Sequence, residues 1–216
     1  MQNELKLSED ELPLFPLHVV LFPGAILPLH IFEQRYRLMI QFCLDNERPF
    51  GVVLIKEGHE VGDPAEPFLV GTSVEIVEVD RLQDGRMNLI TLGKYRFEVL
   101  DITQYEPYLV GKVSVPDIAD VEADEKQQSL AAKASNLYQD YESLLEKLIP
   151  GWEKPQDIPS SPSPLSYQIG ARLQIPLEET QQLLETLPID ELLTREIEIL
   201  ERENRQLKIR IIAQSN

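Results

Sequence analysis

Residues 12–39 read LPLFPLHVVLFPGAILPLHIFEQRYRLM, and the rest of the chain is best understood outward from them. Prolines at 13, 16, 23 and 28 stand among Leu, Val, Ile and Phe, so the stretch is apolar enough to be buried but cannot be a helix. Each proline lacks an N–H and pushes its predecessor toward extended geometry, which predicts short strands broken by turns. From Phe32 the period changes: Phe32, Tyr36, Met39, Ile40, Cys43 and Leu44 fall on one helical face, with Glu33, Arg35, Arg37, Gln41 and Asp45 elsewhere. The segment therefore reads as a buried strand, a Pro-Gly turn, a second strand and an amphipathic helix.

Residues 49–56 form a short continuous apolar run, as expected of a strand buried on both faces, and residues 57–67 are rich in Gly, Pro and acids and read as a loop. Residues 70–82 alternate, with Val74 and Ile76 expected on one face and Val77 and Val79 on the other. Asp84-Gly85 predicts a tight hairpin with positive φ at both central positions. Two further strands, 87–92 and 95–102, are expected on either side of a bend or bulge at Gly93-Lys94, and 108–115 closes the set. Six or more short strands with one early helix predict a highly curved sheet or partial barrel.

Near Pro116 the composition shifts. Residues 117–125 are acidic, and 126–149 carry Leu130, Ala134, Leu137, Tyr141, Leu144, Leu145 and Leu148 at helical spacing without Gly or Pro. Residues 150–164 hold five prolines and read as a linker, in which Trp152 is expected to be pinned to the surface of a bundle rather than held out for a partner. Helices are predicted at 165–173, 177–187 and 189–212, punctuated by Pro176 and Pro188. The fold class is thus α+β: a mobile arm over 1–11, a β-rich domain over 12–116 and an α-helical bundle over 117–216.

Composition limits the chemistry. A chain of 216 residues can build a core without staples. The single cysteine, Cys43, excludes an internal disulfide and any cysteine-based zinc site, and its default role is that of a small buried hydrophobe. No apolar run approaches the roughly 20 residues needed to span a bilayer, and the first residues lack a secretory pattern, so a cytoplasmic location is expected. A net charge of −17 repels phosphate backbones and anionic lipid, which argues against general nucleic-acid binding and against a membrane partner.

The 12–40 block, then GTSVEIVEV at 71–79, Asp84-Gly-Arg86 and Gly93-Lys-Tyr-Arg-Phe97 resemble, in order and spacing, the N-terminal (substrate-binding) domain family of Lon proteases, in the form of small proteins that carry this domain without the rest of the protease. The resemblance covers roughly 12–116 and, more loosely, the helical part. It implies a PUA-like pseudo-barrel and a module that recognises polypeptide. The chain ends about where the family's ATPase and peptidase domains would begin, so a stand-alone, non-catalytic member is expected.

The chemistry-bearing residues agree with that expectation. Gly93-Lys94 and Gly111-Lys112 lack the remainder of a phosphate-binding loop, and His18, His30 and His59 have no metal-ligand spacing. No catalytic residue, cofactor or metal is therefore assigned. The candidate polypeptide-binding residues are Phe22, Pro23, His30, Glu33, Arg35, Arg37, Arg86 and Arg96, with Arg81 and Lys94 adding to the positive charge around the hairpin. For each of these a solvated helix face, a structural histidine or simple balancing of neighbouring acids is the ordinary alternative. Leu193, Ile197, Leu200, Asn204, Leu207 and Ile211 follow a heptad seam with an amide at an a position. The seam is expected to pack on the protein's own bundle, a weak homodimer being the alternative. The expected partner is protein: an unfolded or tagged client, a protease or chaperone, or one dedicated folded partner for which the chain would be an assembly factor.

Overall fold

The computed structural model describes residues 7–60, 65–116 and 124–214. The elements run β1 Glu11–Leu17, β2 Ile26–Ile31, α1 Gln34–Asp45, β3 Phe50–Glu57, β4 Glu66–Arg81, β5 Met87–Gln104 and β6 Leu109–Ser114. Four helices complete the chain: α2 Glu125–Leu148, α3 Pro162–Arg172, α4 Leu177–Glu185 and α5 Ile189–Gln214. The chain divides into two compact units, Met1–Ile118 and Ala119–Asn216.

In the first unit the strands lie in the order β2-β5-β4-β3-β1-β6, and β6 also pairs with β5, so five strands close into a barrel and β2 is appended to it. β1 tolerates its two prolines because each half of the strand has its own partner. Glu11–Leu14 pair antiparallel with β6, and Leu14–Leu17 pair parallel with β3. A proline whose N side faces no ladder loses no hydrogen bond.

The strands expected at 87–92 and 95–102 are one. β5 runs through Gly93 and Lys94 with a register shift against β4, pairing with β2 over its first part and with β6 over its second. A bulge bends a strand without ending it, which is how one strand serves two neighbours around a barrel.

A second bulge, between Ile76 and Glu78, changes which side chains face inward. Val74, Ile76 and Val79 all pack on the main core, and Val77 is left 63% exposed, so the expected pairing of Val77 with Val79 on one face does not hold. The hairpin also differs from expectation. Only Gly85 takes positive φ (81°), and its N–H donates to the Leu82 carbonyl at 2.9 Å, which describes a wider turn ending in a left-handed glycine.

The main core gathers Phe15, Phe50, Val52, Val74, Leu89 and Val110 against Tyr36, Met39, Ile40 and Cys43 of α1. A smaller cluster of Leu12, Leu14, Val53, Phe97, Val99 and Leu109 fills the other part of the unit. Each fully buried large side chain contributes about 1.5–3 kcal/mol. Phe32 is not part of the helical face. α1 starts at Gln34 with Glu33 in extended geometry at its N-cap, so Phe32 precedes the helical period and is exposed.

The expected mobile arm is only partly described, residues 1–6 lying outside the described residues. Its remaining residues are held in place: Leu7 packs on the core, and Arg48 donates to the carbonyls of Leu7, Ser8 and Glu11 at 2.8, 2.6 and 2.9 Å. Part of the expected loop (61–64) and most of the acidic stretch (117–123) also lie outside the described residues.

In the second unit α5 packs along α2, and α3 packs on both. The Asp124 carboxylate caps α2 by accepting from Gln127 N at 2.7 Å. α3 begins at Pro162, inside the proline-rich stretch, because Pro occupies its first turn, where no N–H is needed. Trp152 is pinned as expected: its Nε1 donates to Glu142 Oε2 at 2.7 Å and the Arg172 guanidinium lies 5.0 Å from its ring centroid.

Candidate functional site

β2 has β5 on one side and no other strand on its free edge among the described residues, and it presents Ile26, Pro28 and His30 outward. The register sets Ile26 opposite Leu92, Pro28 opposite Ile90 and His30 opposite Asn88. The same rows continue into β4 as Glu75, Glu78 and Asp80. Since side chains alternate across a strand, these residues share the outer face, while Leu89 and Thr91 point to the buried side. Ile26 is 67% exposed, and Ile90 and Leu92 are half-buried beside it.

A groove of about 480 Å³ runs over this face, lined by Pro28, His30, Glu78, Asp80, Asn88 and Ile90 among others. Its polar end is a chain of contacts across three strands. His30 Nδ1 lies 2.7 Å from Asn88 Oδ1, and Asn88 Nδ2 donates to Asp80 Oδ2 at 3.3 Å. Arg86 Nη1 lies 3.5 Å from His30 Nε2, and Arg86 Nε donates to Asp84 Oδ2 at 2.6 Å. The exposed ring of Phe32 stacks near His30, with centroids 6.0 Å apart. An apolar floor between polar edges can bury an apolar side chain of a ligand and orient its backbone.

The residues singled out in the sequence do not form one cluster. His30 and Arg86 meet at the groove, and Arg37 lies close by, its guanidinium packed against Gly85 at the hairpin tip. Glu33 and Arg35 pair with each other at 3.2 Å, and Arg35 also donates to the Glu60 carbonyl at 3.1 Å and lies over the Tyr36 ring at 4.6 Å. Pro23 belongs to the turn at the start of β2, the length of that strand away from His30. Phe22, in the segment between β1 and β2, is fully buried and Arg96 of β5 nearly so, and neither side chain is available to a ligand.

The seam on α5 is occupied within the chain. Leu193, Ile197, Leu200, Asn204 and Leu207 are buried, and Asn204 Nδ2 donates to the Leu137 carbonyl of α2 at 2.9 Å; Ile211, at the end, is half-buried. The sequence reading missed the outer apolar strip itself. Its signal was present in Ile26, Ile90 and Leu92, but only the register between β2 and β5 brings those residues together. Among the described residues no group of three or more His, Cys, Asp or Glu side chains is arranged to hold a metal ion, and no helix is long and apolar enough to cross a membrane.

Comparison with known proteins gives a consistent result. Residues 11–202 match the family described as the ATP-dependent protease La (LON) substrate-binding domain. The chain is 29% identical over 201 residues to Lon protease of Anaeromyxobacter dehalogenans, covering 92% of this chain and 24% of that protease. It is 27% identical over 201 residues to Lon protease 2 of Myxococcus xanthus, again 92% against 24%. The chain thus spans about a quarter of the length of these curated relatives. Among solved structures, a Lon N-terminal domain protein from Xanthomonas campestris superposes with a TM-score of 0.63 at 28% identity, covering 86% of this chain and 95% of that one. The N-terminal domain of a Mycobacterium avium complex Lon protease shares the fold, with a TM-score of 0.62 at 18% identity over 88% and 98% of the two chains.

Proposed function

We propose, from the premise that this chain belongs to the ATP-dependent protease La (LON) substrate-binding domain family, that it is a recognition module for unfolded or tagged polypeptide, acting as an adaptor in protein quality control. The observation that carries the proposal is the outer face of β2, β5 and β4, where the exposed Ile26 and the half-buried Ile90 and Leu92 stand beside a groove edged by His30, Glu78 and Asp80. A folded protein hides its apolar side chains; an unfolded one can lay them on such a floor, and burial of apolar surface at about 25 cal/mol per Å² supplies the affinity. The polar edge adds orientation, not bulk affinity.

The reading assigns no bond-making step to the chain, and the His30–Asn88–Asp80 row acts by holding the groove's edge. The dedicated-partner reading has less support, because the heptad seam it would use is buried against α2. The test is fluorescence anisotropy of a labelled, permanently unfolded polypeptide titrated with the protein at two salt concentrations, beside a folded control. Saturable, salt-tolerant binding of the unfolded chain alone supports the module; no binding at tens of micromolar protein contradicts it.

A further inference from the structure

β3 leaves β4 at Val74, while β5 stays paired with β4 as far as Arg81. Beyond that point the sheet is a ribbon of β2, β5 and the end of β4, with no further strand on either side among the described residues. An exposed strand edge is a template for pairing with another chain, and proteins blunt such edges with bulges, charge or proline. The β4 edge is blunted twice, by the bulge between Ile76 and Glu78 and by the charges of Glu75, Glu78, Asp80 and Arg81. The β2 edge is not. Ile26–Ile31 reads ILPLHI, without Asp, Glu, Lys or Arg, and it pairs with β5 along its whole length without a register shift.

One contact at the start of β2 tells which of its backbone groups are free: the Gly93 N–H donates to the Ala25 carbonyl at 2.9 Å. Bonded and non-bonded pairs alternate along an antiparallel ladder. With the unbroken register, Leu27, Leu29 and Ile31 therefore bond to β5, and Ile26, Pro28 and His30 turn their backbone groups to the free edge. Pro28 falls on an outward position, where its missing N–H costs the ladder nothing. The side chains also end abruptly here. Leu27 and Leu29 pack on the core yet stay half-buried, and Ile26, Pro28 and His30 are exposed on the other face.

We infer that β2 takes up an extended segment of the client as an added strand, its backbone bonding to Ile26, Pro28 and His30 and its alternate side chains covering Leu27 and Leu29 on one face and Ile26 on the other. The inference rests on the recognition reading above and adds to it the mode of binding. Water satisfies the edge groups in the free chain, so the new bonds fix register and direction while the covered apolar surface supplies affinity. Backbone pairing accepts many sequences, and the flanking leucines and Ile26 favour those with an apolar residue at every second position. A second copy of this chain fits less well. Full antiparallel overlap of two β2 strands sets Pro28 against Pro28, where neither carbonyl finds a donor, and a net charge of −17 on each copy opposes the approach.

The probes are three labelled peptides of one sequence, alternating valine and threonine between terminal lysines: unmodified, N-methylated at the valines, and N-methylated at the threonines. Each is titrated by anisotropy against the wild-type chain. Only alternate amides of an added strand face β2, so one methylated peptide should bind at least tenfold more weakly than the unmodified one and the other within threefold of it. Amide exchange read by NMR supplies a second measurement. Saturating unmodified peptide should slow exchange at Ile26 and His30 at least tenfold, with Leu27, Leu29 and Ile31 protected whether or not peptide is present. Equal tolerance of both methylated peptides, equal loss with both, or unchanged exchange at Ile26 and His30 overturns strand addition and leaves the recognition reading standing. Failure of the unmodified peptide to bind where the long unfolded probe does has the same meaning, and failure of every peptide and of that probe removes both.

Discussion

Arg172 donates to both carboxylate oxygens of the buried Glu142, Nε to Oε1 at 2.6 Å and Nη2 to Oε2 at 2.9 Å. This pair ties α3 to α2, and Trp152 donates to the same carboxylate, so one acidic side chain organises three segments of the helical unit. Removing one partner of a buried pair leaves an uncompensated charge.

Arg172→Leu should therefore destabilise the helical unit by about 3 kcal/mol. The chain's single tryptophan is the reporter: urea denaturation of the full chain, followed by Trp152 fluorescence, should show an earlier midpoint. Glu142→Leu combined with Arg172→Leu should recover part of the loss, because no charge then stays buried. A single-variant midpoint equal to that of the wild type would contradict the assignment.

Glu196 gives the same unit a pH dependence. Burial pushes its carboxyl well above the ordinary value of 4.5, with only Ser166 Oγ, donating at 2.7 Å, acting the other way. Above about pH 4.5 the unfolded chain gives up this proton while the folded chain keeps it, so stability falls as pH rises. Glu196→Gln removes that slope. The variant should be more stable than the wild type at pH 7, with the difference shrinking toward zero below pH 4.5, read from urea midpoints at pH 4 and pH 7. A difference of the same size at both pH values would refute it.

In the β-rich unit the sensitivity lies at alkaline pH. Burial raises Cys43 from 9.0, and Tyr36 and Tyr108 from 10.0, each to about 12. The unfolded chain loses these protons first, so these three groups leave stability unchanged below about pH 9 and lower it between 9 and 12, with Cys43 alone contributing up to about 1.4 kcal/mol per pH unit. The reaction of Cys43 with a thiol reagent measures it: slow at pH 8, and accelerating at higher pH in step with unfolding.

Gly71 lies where β4 crosses close to β3. A methyl group there would sit 2.3 Å from the Val52 carbonyl oxygen and 2.7 Å from Val53 Cγ1. Because the nearest atom is backbone, the sheet has to part to make room, and Gly71→Ala should cost about 3 kcal/mol or more. Loss of the cooperative thermal transition of the first unit, or a large fall in its midpoint, is the expected result.

Much of this was legible in the sequence, for reasons that particular residues make clear. The period change at Phe32 set α1 nearly in place, since Tyr36, Met39, Ile40 and Cys43 are all buried. The proline spacing gave β1 and β2 as separate strands. What was not legible depended on pairing. The bulge at Ile76 to Glu78 reverses the inward order of the valines, and no local pattern announces it. Phe22 and Arg96 looked available to a ligand, but the tertiary fold buries both, Phe22 between β1 and β2 and Arg96 on β5. Ile26 and Leu92 are 66 positions apart in the chain and become neighbours only through strand pairing.

The central claim is that the outer face of β2, β5 and β4 receives unfolded polypeptide. It is tested most directly by repeating the anisotropy titration of the labelled unfolded chain with Ile26→Asp and Ile90→Asp, two outer-face changes that leave the core untouched. Both variants should keep the wild-type circular dichroism spectrum and thermal midpoint within a few degrees and lose tenfold or more in affinity. Folded variants that bind the unfolded chain as tightly as the wild type would contradict the account.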